Sequence, residues 1–187
     1  MNRVHRWLCR SARWKKALEE AILPAVVNGI DLGDNLLEVG PGPGLTTDWL
    51  RVRLPQLTAV EIDGQLARRL ANRMRGANVR VIQGDGAALP FKDDSFSGAV
   101  AFTMFHHVPS VELQNRLFQE VCRVLRPGGV FAGVDSADGW LMRLLHISDT
   151  LVPVDPAALP ARLQSAGFTC ISINTDKSGF RFSAVRP

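Results

Sequence analysis

A short apolar run leads directly into a turn in which every second residue is glycine. Residues 35–39 end at Val39, the turn reads Gly40-Pro41-Gly42-Pro43-Gly44, and a helical pattern starts at Thr46. Glycine lets the backbone turn sharply and approach a ligand closely. In an open α/β sheet the first such turn lies at the carboxyl edge of the strands, where ligands bind. The sequence therefore predicts a strand–turn–helix unit with a ligand site at the turn, against the alternative of a tight loop without a ligand.

The chain then repeats the order of strand and helix. Mainly apolar runs of strand length occur at residues 35–39, 57–62, 79–83, 98–103 and 130–135. Helical patterns occur at residues 4–28, 46–54, 65–74, 111–125 and 157–166, with Ser110 as an N-cap. This alternation predicts a parallel sheet covered by helices on both faces. Two final strands, 168–174 and 179–185, are joined by so short a connection that only an antiparallel pair is possible.

Composition excludes several classes of protein. The chain has 187 residues, of which 46% are hydrophobic and 21% charged, so neither a disordered nor a fibrous protein is expected. No apolar run approaches the roughly 18 residues that span a bilayer, and the first residues lack a signal-peptide pattern. The three cysteines, Cys9, Cys122 and Cys170, are far apart and predict no disulfide framework. A cytoplasmic protein is therefore predicted.

The net charge of +4 is unevenly distributed. Residues 1–16 contain six of the 22 basic residues and none of the 18 acidic ones, so the remainder carries 16 minus 18, or −2. We predict a basic helical arm at residues 1–30 and the main domain at 31–187. The arm is interpreted either as a lid, with Trp7 and Trp14 over the ligand pocket, or as a peripheral contact with an anionic membrane surface.

The glycine turn does not match a phosphate-binding loop. In a dinucleotide fingerprint counted from Gly40, the third glycine position is occupied by Leu45. Pro41 and Pro43 lack the amide hydrogens that would hold a pyrophosphate. A P-loop is excluded because no Gly-Lys-Ser/Thr follows. A nucleoside without a phosphate fits better.

Acidic residues lie at the ends of the next two strands. Glu61 lies 21 residues after Gly40, at a position where a carboxylate can accept two hydrogen bonds from a ribose diol. Asp85 follows the third strand and can accept a hydrogen bond from an exocyclic amine. The neighbouring Asp63 suits a helix cap better than a ligand contact. The sequence therefore predicts a nucleoside site across three strand ends.

These strand ends resemble the nucleotide-pocket motifs of class I S-adenosylmethionine-dependent methyltransferases. The closest resemblance is to the small-molecule branch that includes the ubiquinone/menaquinone C-methyltransferases, over about residues 35–135. It implies S-adenosylmethionine as the cofactor and a Rossmann-like three-layer α/β sandwich. The implied sheet has seven mostly parallel strands in the order 3-2-1-4-5-7-6, with strand 7 antiparallel. The cofactor-binding residues predicted on this basis are Glu38, Gly40, Pro41, Gly42, Glu61, Ile62, Asp85, Gly86, Ala87 and Thr103.

The acceptor site is expected after the fourth strand, where two adjacent histidines occur. His106 or His107 is a candidate general base, because imidazole titrates near neutrality. No metal site is predicted, because no third ligand has suitable spacing and His5 and His146 are isolated in the sequence.

The predicted activity is methyl transfer to a small-molecule or lipid-like acceptor. Residues 37–47 and 60–63 are also similar to the rRNA adenine dimethylases. Those enzymes carry an Asn/Asp-Pro-Pro-Tyr-like motif where this chain reads Thr103-Met104-Phe105-His106, and the chain has no tyrosine. This argues against a nucleic-acid acceptor. A non-catalytic module that binds S-adenosylmethionine or S-adenosylhomocysteine is a further alternative, and the oligomeric state is left open.

Overall fold

The computed structural model describes residues 11–147 and 149–187. Seven strands form one sheet: β1 (Asn35–Val39), β2 (Gln56–Glu61), β3 (Val79–Gln83), β4 (Phe96–Phe102), β5 (Leu125–Ser136), β6 (Thr169–Thr175) and β7 (Gly179–Val185). Their order is β3-β2-β1-β4-β5-β7-β6. Strands β1 to β5 pair in parallel, whereas β7 runs antiparallel to both β5 and β6. The predicted strand order and the C-terminal hairpin are confirmed.

Helical segments connect the strands. They are α1 (Ala12–Ala17), a π-helical turn (Leu18–Ile22), α2 (Leu23–Val27), α3 (Leu45–Leu50), α4 (Gly64–Arg73), a 3₁₀ turn (Phe105–His107), α5 (Val111–Val124), α6 (Trp140–Leu145) and α7 (Leu159–Ser165). Over the described part of the chain, every helix is too short or too polar to cross a bilayer. Ser110 caps α5 as predicted, since its hydroxyl accepts a hydrogen bond from the Leu113 amide.

Alternation along the strands divides the core into layers. Leu37 of β1 belongs to a cluster with Phe118 of α5 and Leu163 of α7. Its neighbour Leu36 points to the opposite face of the sheet and belongs to a second cluster, which contains Leu23 of α2. Helices therefore cover both faces of the sheet. The loops at the carboxyl ends of the strands remain uncovered by these helices and form the candidate site.

The described part of the basic arm is attached to the sheet. Leu18 and Leu23 are buried in the second cluster, and Trp14 packs against it. The helical segments end at Val27, one residue before the end of the predicted helical pattern at 4–28. Trp7 lies outside the described residues.

Strand β5 begins earlier than the sequence predicts. The predicted helix at 111–125 ends instead at Val124, because Leu125 adopts an extended conformation with ψ of 145°. Leu125 is fully buried and pairs with Phe96 of β4. Tertiary pairing at this buried leucine overrides the helical periodicity, so the Pro127-Gly128-Gly129 turn lies within β5.

Candidate active site

The turn after β1 uses its glycines for backbone conformation. Gly40, Gly42 and Gly44 have φ of 69°, 55° and 82°, which side chains of L-residues rarely adopt. A Cβ atom at Gly40 would lie 3.1 Å from the Met104 side chain, whereas one at Gly42 would meet no atom of the described residues within 4 Å. The Gly40 amide donates to the Val60 carbonyl at 2.9 Å, which ties the turn to β2. The turn therefore has open space above Gly42.

Glu61 connects this turn to the end of β2. Its Oε2 accepts a hydrogen bond from the Gly42 amide at 2.8 Å, and its Oε1 accepts one from the Asp63 amide at 2.9 Å. Burial raises the pKa of Glu61, and these amide hydrogen bonds oppose the rise. A carboxylate has about four acceptor positions, so two protein donors leave capacity for ribose hydroxyls. Two predicted site residues, 19 positions apart in sequence, are thus in direct contact.

Glu38 lies beneath the turn and is almost completely buried. The hydroxyls of Thr46 and Thr47 donate to its two carboxylate oxygens, the Thr47 bond measuring 2.6 Å. Burial raises the pKa of Glu38 to about 7, although the hydroxyl hydrogen bonds lower it. Glu38 therefore anchors the first turn of α3. Sequence reasoning missed the two threonines, although their position next to the glycine turn was a usable signal.

The predicted adenine-binding residues lie next to Glu61. The Gly84 amide donates to the Glu61 carbonyl at 3.1 Å, which joins the ends of β2 and β3. Asp85 Oδ1 accepts a hydrogen bond from the Ala87 amide at 2.8 Å. A Cβ atom at Gly86 would lie 2.9 Å from Val39 Cγ1, so close packing against β1 requires this glycine.

Two neighbours of Glu61 have different environments. Ile62 is 68% exposed and offers an apolar surface at the same edge. Asp63 accepts hydrogen bonds from the Gln65 and Leu66 amides, so its predicted role as the cap of α4 is confirmed.

The end of β4 is tied to β5 by hydrogen bonds. Thr103 has φ of 49°, and its amide donates to the Val134 carbonyl at 2.7 Å. The buried His106 lies 2.5 Å from Asp135, measured from Nδ1 to Oδ1, and its amide donates to Asp135 Oδ2 at 3.1 Å. Sequence reasoning missed Asp135, although it ends the predicted strand 130–135 at the ligand-binding edge.

The structure also corrects the prediction that His146 is isolated. The ring centroids of His106 and His107 are 4.2 Å apart, and each lies 5.0 Å from that of His146. His146 follows α6 directly and is buried. The fold therefore supplies a third histidine that spacing along the chain did not indicate.

A depression of about 500 Å³ lies elsewhere on the molecule, near the starts of β1 and β4. Its lining includes Gly33, Ser97 and Arg126, and none of the predicted site residues. The chemical groups described above all lie at the opposite, carboxyl edge, where ligands of open α/β sheets bind.

Comparisons with known proteins show the family of the chain. The family model described as "Methyltransferase domain" matches residues 37–133, slightly more than half of the chain. Sterol methyltransferase-like 3 of Botryococcus braunii is 33% identical over 138 residues, covering 68% of this chain and 34% of that protein. Ribosomal RNA small subunit methyltransferase A of Cupriavidus taiwanensis is 40% identical over 82 residues, covering 43% and 28%. The chain thus spans about a third of the length of these curated relatives.

Among solved structures, the PH0226 protein from Pyrococcus horikoshii has a similar fold. It superimposes with a TM-score of 0.78 and 19% sequence identity, over 100% of both chains. At this identity the likeness concerns the fold. The similarity extends over the whole chain, including the C-terminal hairpin that the family model does not cover.

Proposed function

The chain belongs to the methyltransferase domain family, whose class I members depend on S-adenosylmethionine, and we propose that it transfers a methyl group to a small-molecule or lipid-like acceptor. The observation that carries this proposal is the hydrogen bond from the Gly42 amide to Glu61. It brings the glycine turn and the ribose-type carboxylate together at one edge of the sheet. The ubiquinone/menaquinone C-methyltransferase-like branch is part of the proposal and rests on the sequence resemblance.

The protein's contribution would be binding and alignment. The bound cofactor supplies a methyl group already activated on a sulfonium sulfur. The turn at Gly40 and Gly42 binds one end of the cofactor, Glu61 accepts from the ribose hydroxyls, and Asp85 accepts from the adenine amine. Holding donor and acceptor in line lowers the entropic part of the barrier. His106 and His107 lie at the acceptor end and are the candidate general bases.

Exposed apolar side chains on and just after α6, the helix that His146 follows, support a lipid-like acceptor. Trp140, Leu144 and Ile147 are 77%, 53% and 61% exposed. Their i, i+4, i+7 spacing gives one apolar stripe along and just beyond α6, which leads to His146. The similarity to a sterol methyltransferase-like protein also favours an apolar acceptor.

An RNA acceptor is the second candidate. The similarity to a ribosomal RNA methyltransferase favours it, but that similarity covers only 43% of this chain. The residues after β4 lack the aromatic motif that would stack on a flipped base, and Phe105 is buried in the core.

Calorimetric titration with S-adenosylhomocysteine tests the cofactor site. Glu61→Ala should raise the dissociation constant at least tenfold, because a hydrogen bond to a charged group contributes about 1.5–3 kcal/mol. Asp63→Asn is the matched control and should bind normally, since asparagine also caps helices. Unchanged affinity of the Glu61→Ala protein would remove the ribose assignment.

Transfer of a labelled methyl group tests the acceptor class. The protein is incubated with methyl-labelled S-adenosylmethionine and either a sterol, a quinol, phosphatidylethanolamine in mixed micelles, or ribosomal RNA. Label in a small or lipid-like acceptor supports the proposal, and label only in RNA establishes the second candidate. Tight cofactor binding without transfer to any of these would instead indicate a binding module.

A further inference from the structure

Three histidine rings and one carboxylate converge at the ends of β4, β5 and α6. His106 and His107 come from the 3₁₀ turn, His146 follows α6, and Asp135 is on β5. One ligand nitrogen from each histidine can be chosen so that all three lie within 4.8 Å of one another. The methyltransferase proposal gives this trio no joint role, and sequence spacing did not predict it.

The hydrogen bond of His106 to Asp135 uses Nδ1 and leaves Nε2 available for a ligand. Nδ1 lies 2.5 Å from Asp135 Oδ1, so the proton is assigned to Nδ1 and the lone pair to Nε2. The His106 side chain is only 3% exposed, and its Nε2 has no hydrogen-bond partner among the described residues. A buried polar atom without a hydrogen-bond partner is destabilising, so the position of this nitrogen calls for a ligand.

His146 also has its Nδ1 in a hydrogen bond with the protein. Its Nδ1 lies 2.7 Å from the Met142 carbonyl oxygen, which can only accept, so the Nδ1 proton is fixed there and Nε2 carries the lone pair. Metal-binding histidines commonly donate their second ring N–H to a carboxylate or a backbone carbonyl in this way. Asp135 and the Met142 carbonyl supply one partner of each kind.

We propose that His106, His107 and His146 bind a Zn²⁺ ion. Three imidazoles with one open tetrahedral position are an established donor set for zinc. Tetrahedral coordination at about 2.0–2.1 Å places ligand nitrogens roughly 3.3 Å apart. From the 4.8 Å limit, the nitrogens therefore approach by at most about 1.5 Å on binding. Asp135 is then a positioning residue, which orients the His106 ring and holds its proton on Nδ1.

The location determines what the ion can contact. His106 and His107 follow Thr103 at the carboxyl edge, and His146 lies between the exposed Leu144 and Ile147 in the chain. The fourth coordination position takes water or an acceptor oxygen, nitrogen or sulfur. A metal-bound imidazole has no lone pair for a proton, so a ligated His106 or His107 cannot serve as the general base. Zinc binding does not depend on the methyltransferase proposal and can be measured separately.

Metal content and affinity test the site. Purified protein is stripped with a chelator, loaded with Zn²⁺, desalted, and analysed by elemental mass spectrometry and by competition with a chromogenic chelator. One equivalent per chain is expected. Loading with Co²⁺ should give the visible absorption of a tetrahedral ion.

Matched variants identify the ligands. His146→Gln and His107→Gln should each weaken zinc binding at least 100-fold, and Asp135→Asn should weaken it about 10- to 100-fold. His5→Gln removes the remaining histidine and should retain one equivalent. S-adenosylhomocysteine affinity and the midpoint of thermal unfolding verify that each variant is folded. Wild-type protein without retained zinc would overturn the proposal, as would a folded His107→Gln or His146→Gln variant with wild-type zinc affinity.

Discussion

At the scale of single residues, Glu38 shows what burial does to a carboxyl group. It is 1% exposed, both of its oxygens accept threonine hydroxyls, and burial raises its pKa to about 7. A folded-state pKa above the unfolded value means that the folded protein holds a proton which the unfolded chain has released. The stabilising effect is complete below pH 4.5 and is lost as the pH rises through 7.

Glu38→Gln should therefore flatten the dependence of stability on pH. Relative to wild type, the free energy of unfolding of this variant should increase by up to about 3 kcal/mol between pH 5 and pH 8. The pKa of Glu61 is also raised, so Glu61 makes stability fall with rising pH in the same way. This contribution is present in both wild type and the Glu38→Gln variant, and the comparison removes it. Urea unfolding at several pH values measures the difference. The exposed Glu20→Gln is the control, and parallel curves for wild type and Glu38→Gln would contradict the prediction.

Residues differ in how far sequence reasoning can locate them. Glu61 lies at the end of a predicted strand and Asp85 lies just after the next one. Parallel strands end at the same edge of a sheet, so the topology alone predicted that these two residues are close together. His146 follows a short helix in a segment without clear periodicity, and its approach to His106 depends on how that helix packs. No spacing rule encodes such a contact.

At the scale of elements, the turn between β1 and α3 contains a glycine at which the effect of backbone strain can be distinguished from the effect of a blocked ligand site. Gly42 and Gly76 have φ of 55° and 77°, and a Cβ at either position would meet no described atom within 4 Å. Gly42 donates to Glu61, whereas Gly76 lies in the turn between α4 and β3. The two glycines thus form a matched pair.

Gly42→Ala and Gly76→Ala should each lower the free energy of unfolding by about 1–2 kcal/mol, because alanine is strained at these φ angles. Only Gly42→Ala should weaken binding of S-adenosylhomocysteine, since its new methyl group occupies space beside Glu61. Urea unfolding and calorimetric titration measure the two effects. Equal loss of affinity in both variants would mean that strain alone is responsible.

Elements that a local sequence signal determines were predicted well, whereas element boundaries that depend on pairing between strands were not. The short connection between β6 and β7 allows only an antiparallel pair, and that pair is present. The start of β5 was predicted at residue 130 but lies at Leu125, because pairing with Phe96 outweighs helical periodicity. Local chemistry thus determines turns and caps, whereas neighbouring strands determine where an element ends.

At the scale of the whole molecule, one edge of the sheet carries two kinds of chemistry. The polar cofactor-binding groups lie at the ends of β1, β2 and β3. Two histidines follow β4, and the third follows α6 with its exposed apolar side chains. The strand order places β1 next to β4, so the two halves meet beside Gly40 and Met104, which are in contact range. A donor bound on one side and an apolar acceptor on the other would meet at this boundary.

Trp140→Ala tests this division of the edge. Because Trp140 is 77% exposed, the substitution should leave both the thermal midpoint and S-adenosylhomocysteine affinity unchanged. It should lower kcat/KM for a lipid-like acceptor in mixed micelles roughly tenfold, mainly through KM, because a tryptophan buries about 150–250 Å² on contact. Val52→Ala is the control, since Val52 is 66% exposed and follows α3. Wild-type kcat/KM in Trp140→Ala would mean that the acceptor reaches the methyl group by a route that avoids α6.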